Sequence, residues 1–315
     1  MVLEDRWLRE TYVDLLIEYA AKNKDIVILE ADLMKAGGTF RFAEKYPERT
    51  FDVGIQEANM IGTAAGMSAM GKIPFTHTFT AFATRRVCDQ VTLSVAYAGL
   101  NVKMMGSDPG VTAEYNGGTH MSMEDVSIMR NIPGMIVYEP VDSAQLKAIF
   151  PQIVDHYGPV YIRLLRRNAV KVFEDGEIFE LGKGKLMREG SDVSIFATGI
   201  MVAEAVEAVE ELAKEGIHAE LINIHTVKPL DEEMVLASVA KTGCAVTAEN
   251  HSVIGGLGSA VAELLIEKNP VPVKKVGVMD HFGEVGLTPY LKEKYGLTAK
   301  DIIAAAKAAI AMKKR

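Results

Sequence analysis

Two cysteines in 315 residues, Cys88 and Cys244, are too few for a disulfide framework and stand in no CxxC spacing. No apolar run approaches the roughly 20 residues that a membrane-spanning helix needs. The opening MVLEDRW lacks the basic and apolar regions of a secretory signal, so a soluble, cytoplasmic chain without membrane partners is expected. Positive charge is also short: 34 Lys and Arg against 42 Asp and Glu give a net charge of −8. Such a chain builds no field for a nucleic-acid backbone, and no nucleic-acid partner is expected. No GxGxxG follows the first predicted strand and no GxxxxGK[ST] occurs, which removes the main support for nicotinamide or P-loop chemistry. The seven histidines form neither HExxH nor HxH, so no metal site made by this chain alone is expected. A GxSxG elbow is missing as well. Any chemistry here needs a cofactor or a partner.

What is present is a globular balance, with 49% hydrophobic and 24% charged residues. At roughly 100–200 residues per domain, the length suggests two domains. Predicted strands at 26–30, 50–53, 73–76, 101–105, 135–138 and 160–163 alternate with predicted helices at 5–21, 56–70, 81–97, 123–130 and 143–156. That alternation predicts an α/β fold, doubly wound around a mostly parallel sheet. Charges and glycines then interrupt the pattern, and residues 173–190 read as a linker with a small hairpin. Strands at 193–197, 219–224, 244–248 and 273–278, with helices at 202–215, 231–240, from 259 and at 299–312, predict a second, smaller α/β domain. The expected boundaries are 1–172 and 191–315.

The densest signal is FDVGIQEANM at 51–60, followed by THTFTAFATRRVCDQ at 76–90. Glu57 stands where a strand turns into a helix, the end of an open α/β sheet at which ligands bind. Its plainer role is to decorate a helix N-terminus, worth about 0.3–1 kcal/mol. Phe79 and Phe82, three apart, would share a face on a helical turn and offer a flat apolar platform, or simply pack in the core. Together, a carboxylate after one strand and an aromatic pair after the next suit a polar heteroaromatic ring.

The run GIQEANMIGTAAGMSAMGKIPFTHTFTAF with its R…DQ, then GGTHMSMEDVSIMRNIPGM, NIHTVKPLD and GGLGSAV, resembles transketolases and related thiamine diphosphate enzymes over nearly the whole chain. The resemblance implies a pyrimidine-binding domain followed by a transketolase C-terminal-type domain. The GDG motif that binds diphosphate and Mg²⁺ in that family is missing. The chain therefore looks like the C-terminal subunit of a split transketolase, with an N-terminal partner subunit carrying GDG, in an assembly of two copies of each. The implied activity is transfer of a two-carbon ketol unit from a ketose to an aldose, as in pentose phosphate metabolism. The alternative is the β subunit of a 2-oxo acid dehydrogenase E1 component, which shares the architecture and the glutamate.

By the same resemblance, Glu57 matches the glutamate that hydrogen-bonds the aminopyrimidine and favours its imino tautomer. Burial is expected to raise the pKa of such an acid against the pull of the helix N-terminus. Phe79 and Phe82 match the aromatic shelf, Arg85 stands where many transketolases carry a third aromatic, and Asp32 matches an acid near the cofactor. His120 matches the histidine that contacts donor oxygens, and Asn116 replaces an aspartate that reads a sugar hydroxyl. His77 is a further candidate facing the cleft. Arg6 and Arg166 match arginines that clamp a substrate phosphate. Asp108 occupies the position of a phosphate-binding histidine, where an anion would repel a phosphate. A sugar phosphate is expected, with a differently placed phosphate or another terminal anion such as a sulfonate left open. Asp231, His251 and 255–258 read as structural or interfacial.

Overall fold

The computed structural model describes residues 2–313. Twelve strands among them form two sheets: β1 (Ile26–Glu30), β2 (Thr50–Asp52), β3 (Ile73–Phe79), β4 (Lys103–Ser107), β5 (Ile136–Tyr138), β6 (Val160–Leu164), β7 (Lys185–Arg188), β8 (Val193–Ala197), β9 (Ala219–Asn223), β10 (Thr226–Lys228), β11 (Ala245–Ser252) and β12 (Val273–Val278). The seven-stranded sheet runs β10-β5-β6-β4-β3-β1-β2, and the five-stranded sheet runs β12-β11-β8-β9-β7. All pairs are parallel except β10 with β5 and β7 with β9, at one edge of each sheet. Strands β1, β4, β6, β8 and β9 are buried along their whole length, as sheets covered on both faces require. Among the described residues, no helix is long and apolar enough to cross a membrane.

Local chemistry sets the element ends. Asp142 caps the helix Ser143–Asp155 by accepting from the Gln145 amide at 3.0 Å, and its other oxygen accepts from the Val172 and Phe173 amides at 2.9 and 2.7 Å. The chain leaving the first sheet is thereby tied to a helix of that sheet. Asp231 caps Glu232–Thr242 through the Met234 amide and holds Gly184 in the connecting segment at 2.9 Å. Asp231 is therefore a structural residue.

Two sequence expectations change. The segment read as a hairpin-bearing linker contains β7, which pairs with β9 at the edge of the second sheet. The helix predicted over 81–97 is broken: Thr80–Ala83 ends at Thr84 (φ −122°, ψ −85°), a 3₁₀ turn spans Arg85–Val87, and Val91–Tyr97 is π-helical. Strand β10 joins the first sheet from the second half of the chain, so the two halves share backbone hydrogen bonds as well as side chains.

Candidate functional site

Strands β6, β4, β3 and β1 are neighbours in the sheet and parallel, so their carboxyl ends open on one edge. Arg166 follows β6, Asp108 follows β4, Phe79 ends β3, and Asp32 follows β1. The sheet thus collects residues far apart in sequence along one crevice, the usual ligand position in open α/β folds.

Glu57 opens the helix Glu57–Ala69 and is 3% exposed. Its Oε1 accepts from Arg86 Nη1 at 2.6 Å. The same guanidinium lies 3.7 Å above the Phe82 ring. A protonatable heteroaromatic ring needs both of these contacts, a stack on an aromatic face and an N–H donated to a buried carboxylate. The flat, N–H-bearing guanidinium makes them here, so the residues present fit an aminopyrimidine.

The shelf is less flat than the spacing predicts. Phe79 and Phe82 sit 6.1 Å apart with planes at 61°, and His120 stands edge-on to both, at 5.8 and 5.0 Å. His120 is half-buried, with Nδ1 2.9 Å from the Thr119 hydroxyl. Arg85 braces this loop, donating to the Thr119 carbonyl at 2.9 Å and to Glu124 at 2.8 Å. Arg85 thus points toward the His120 loop, and Arg86, which the spacing argument did not single out, faces Glu57. Asn116 is exposed at the end of the 3₁₀ helix Gly110–Asn116. Asp32 is also exposed, in the left-handed region at φ 60°, and its amide donates to Asp52.

His77 is buried and lines a small cavity with Phe79 and Ser107. It is 1% exposed on a central strand, with Nε2 3.0 Å from the Tyr12 hydroxyl and Nδ1 3.3 Å from Glu30. Burial lowers its pKa to about 3 and raises that of Glu30 to about 8, so both are neutral at neutral pH beneath the site floor. Arg6 lies apart. It is exposed and pairs with Asp14 at 2.6 Å and Glu10 at 3.6 Å. Arg9, three residues onward on the first turn of the helix Leu8–Lys22, is the arginine beside Arg166. Its amide lies 3.5 Å from the Arg166 carbonyl, and its charge is felt by Asp108.

Arg166 Nε lies 3.1 Å from Asp108 Oδ1 and its guanidinium 5.9 Å from the Phe79 ring, which joins the arginines to the aromatic shelf. Arg167 pairs instead with Glu114 at 2.9 Å. The second half of the chain holds this region in place. Asn250 donates to the Pro109 carbonyl at 2.9 Å and accepts from the Val111 amide at 3.0 Å, and the Thr288 hydroxyl donates to Glu114 at 2.7 Å. Gly110 (φ +52°) must be glycine, because a Cβ there would sit 2.3 Å from Asn250 Oδ1.

The transketolase pyrimidine-binding domain model matches residues 6–171 and the transketolase C-terminal domain model residues 182–302. The chain is 72% identical over 304 residues to the 6-deoxy-6-sulfo-D-fructose transketolase subunit SqwH of Clostridium sp. (strain MSTE9), covering 96% of this chain and 94% of that protein. It is 34% identical over 295 residues to an apulose-4-phosphate transketolase subunit of Phocaeicola vulgatus, covering 93% and 94%. A solved split-gene transketolase, described as an inactive β4 tetramer, matches with a TM-score of 0.89 and 46% identity over 98% of this chain and 99% of that one. These matches do not favour the dehydrogenase reading. The chain belongs to the transketolase family, as the subunit of the split form that carries the pyrimidine-binding and C-terminal domains.

Proposed function

We propose that this chain is the C-terminal subunit of a two-chain, thiamine diphosphate-dependent transketolase whose donor is 6-deoxy-6-sulfo-D-fructose. An N-terminal partner carrying the GDG motif supplies the diphosphate and Mg²⁺ contacts, in an assembly of two copies of each chain. The family implies the cofactor, and the high identity to a sulfofructose transketolase subunit over almost the whole chain supports the donor. The observation that carries the reading is the convergence on one sheet edge of three groups: a buried carboxylate, an aromatic shelf and an arginine pair. The inactive β-only tetramer of a relative fits a site that one chain leaves incomplete.

When bound, thiamine diphosphate supplies the carbon nucleophile that takes up and hands on the two-carbon unit. This chain's residues set the conditions for it. Glu57 Oε1, which now accepts from Arg86, would share a proton with the pyrimidine ring nitrogen. Phe82 would offer the ring the face that the Arg86 guanidinium now covers. His120 contacts donor oxygens between the shelf and the substrate. Arg166 and Arg9 hold the terminal anion, which orients the sugar toward the shelf and converts binding energy into positioning.

The complex of this chain and its GDG-bearing partner, given thiamine diphosphate, Mg²⁺, 6-deoxy-6-sulfo-D-fructose and an aldose phosphate, is expected to yield a four-carbon sulfo-aldose and a ketose two carbons longer than the acceptor. Mass spectrometry reads both. Decarboxylation of a 2-oxo acid without any ketose would overturn the proposal. Arg85→Ala should loosen the His120 loop and raise the donor KM several-fold. Its loss of stability should stay within about 0–1 kcal/mol, because the ion pair to Glu124 is solvent-exposed. Steady-state kinetics beside thermal melts checks this, and an unchanged KM would remove Arg85 from the substrate loop.

A further inference from the structure

Arg9, Arg166 and Asp108 form a charged group in which several buried polar atoms lack hydrogen-bond partners, although Arg9 Nη1 donates to the Ala36 carbonyl and its guanidinium lies 4.3 Å from the Trp7 ring. Asp108 is 1% exposed, and neither of its oxygens makes a well-formed hydrogen bond. The same holds for the buried Nε atoms of Arg9 and Arg166. Asp108 and Arg166 are in ionic contact at 3.1 Å without hydrogen-bond alignment. Buried donors left in this state cost stability unless something fills them, and a ligand anion is what two guanidinium edges accept. The carboxylate is not there by slack in the loop. Asp108 is held in the left-handed region (φ 58°), its amide donates to the Leu164 carbonyl at 3.2 Å, and Asn250 clamps the two peptides that follow. Burial raises its pKa to about 6 against the opposing pull of Arg166, Arg167 and Arg9, so it remains ionised at neutral pH.

The charges facing this point are Arg9 and Arg166 against Asp108, with Arg167 offset by Glu114 and Glu10, beside Arg9, offset by Arg6. The local sum is one positive charge. We propose that Asp108 is a specificity-determining residue that trims the terminal-anion subsite to a single net positive charge. The subsite then accepts a sulfonate and disfavours a phosphate monoester. A sulfonate carries one negative charge, whereas a phosphate monoester carries about 1.5 to 2 at neutral pH. The surplus charge of the phosphate would fall beside the Asp108 carboxylate in a partly desolvated place, where repulsion is least screened. The inference rests on the sulfonate-donor reading and adds the residue that enforces it.

The test uses the complete two-chain enzyme with thiamine diphosphate and Mg²⁺. It compares kcat/KM for 6-deoxy-6-sulfo-D-fructose and fructose 6-phosphate in the wild type, Asp108→Asn and Arg9→Gln. The wild type should favour the sulfonate. Asp108→Asn keeps the shape and removes the charge, and should move the ratio toward the phosphate by about tenfold or more. Arg9→Gln lowers the local sum to zero and should move the ratio the other way. Because each ratio is taken within one variant, a general loss of activity cancels. Should Asp108→Asn fail to assemble, Arg9→Gln carries the test alone. A sulfonate-preferring wild type whose ratio neither folded variant shifts beyond about twofold would overturn the role of Asp108. A wild type that prefers the phosphate would instead overturn the donor reading, and this inference with it.

Discussion

Glu57→Gln is expected to leave the fold and assembly of the two-chain enzyme intact and to abolish nearly all of its turnover. The side chain is buried at the first turn of a helix, and glutamine occupies the same volume. Its amide oxygen can still accept from Arg86, so no cavity and no orphaned charge is created on the protein side. What glutamine cannot do is hold and share a proton with a ring nitrogen. Groups in that role contribute about 10²–10⁴-fold to rate. Turnover of the reconstituted complex, alongside its melting temperature, reads this directly. An activity above about a tenth of wild type in a folded complex would remove Glu57 from the chemistry.

The largest stability loss is expected from Arg163→Met. Arg163 is fully buried on β6 and donates to Asp125 at 2.6 and 3.2 Å, to Glu139 at 2.6 Å and to the Asn250 carbonyl at 2.7 Å. Tyr161 completes the shell of Asp125 and Thr198 that of Glu139. One guanidinium thus binds a helix and a strand end of the first sheet to β11 of the second, and Glu139 carries the network on to Thr198, just after β8. Methionine fills most of the space but leaves each buried carboxylate with a single hydroxyl donor and no cation, and the Asn250 carbonyl without its guanidinium donor. Losing one partner of such a network costs about 3–5 kcal/mol.

The pH dependence of this variant follows from the charges. Burial pushes both carboxyls up. Burial is the largest single influence at both groups, but at Asp125 the Arg163 charge and hydrogen bonds, with His251 and Tyr161, together outweigh it and hold the pKa below the usual range, whereas at Glu139 burial wins. Without Arg163 both folded-state pKa values rise above their unfolded ones, so the folded state binds more protons. The deficit should then be smallest at low pH and grow as pH rises through the raised values. Urea unfolding at pH 5 and pH 8 checks both magnitude and sign. A loss below about 1 kcal/mol would show that the network is not what joins the two sheets.

Much of this fold was legible because buried parallel strands announce themselves as apolar runs. Ile26–Glu30 and Val193–Ala197, buried throughout, match their predicted bounds to the residue. The place of Glu57 at a helix start follows from periodicity, and its role toward a cofactor rests on the resemblance. Arg86 was not legible in this way. Counting at helical spacing through 81–97 assumes one continuous helix, whereas the break at Thr84 and the π-helical stretch beyond it rotate each following side chain off that count. Arg6 rests on the resemblance alone, whereas the folded chain puts Arg9, on the first turn of the helix Leu8–Lys22, beside Arg166. The roles of Asn250 and Thr288, and the pairing of β10 with β5, are contacts between distant parts of the chain, and local sequence carries no trace of them.

The most direct measurement is a titration of the GDG-bearing partner into a fixed amount of this chain, with thiamine diphosphate, Mg²⁺, the sulfonate donor and an aldose phosphate present. No ketol transfer is expected from either chain alone, and activity should rise with added partner to a plateau at one partner per chain. Full ketol transfer by this chain without the partner would contradict a shared active site.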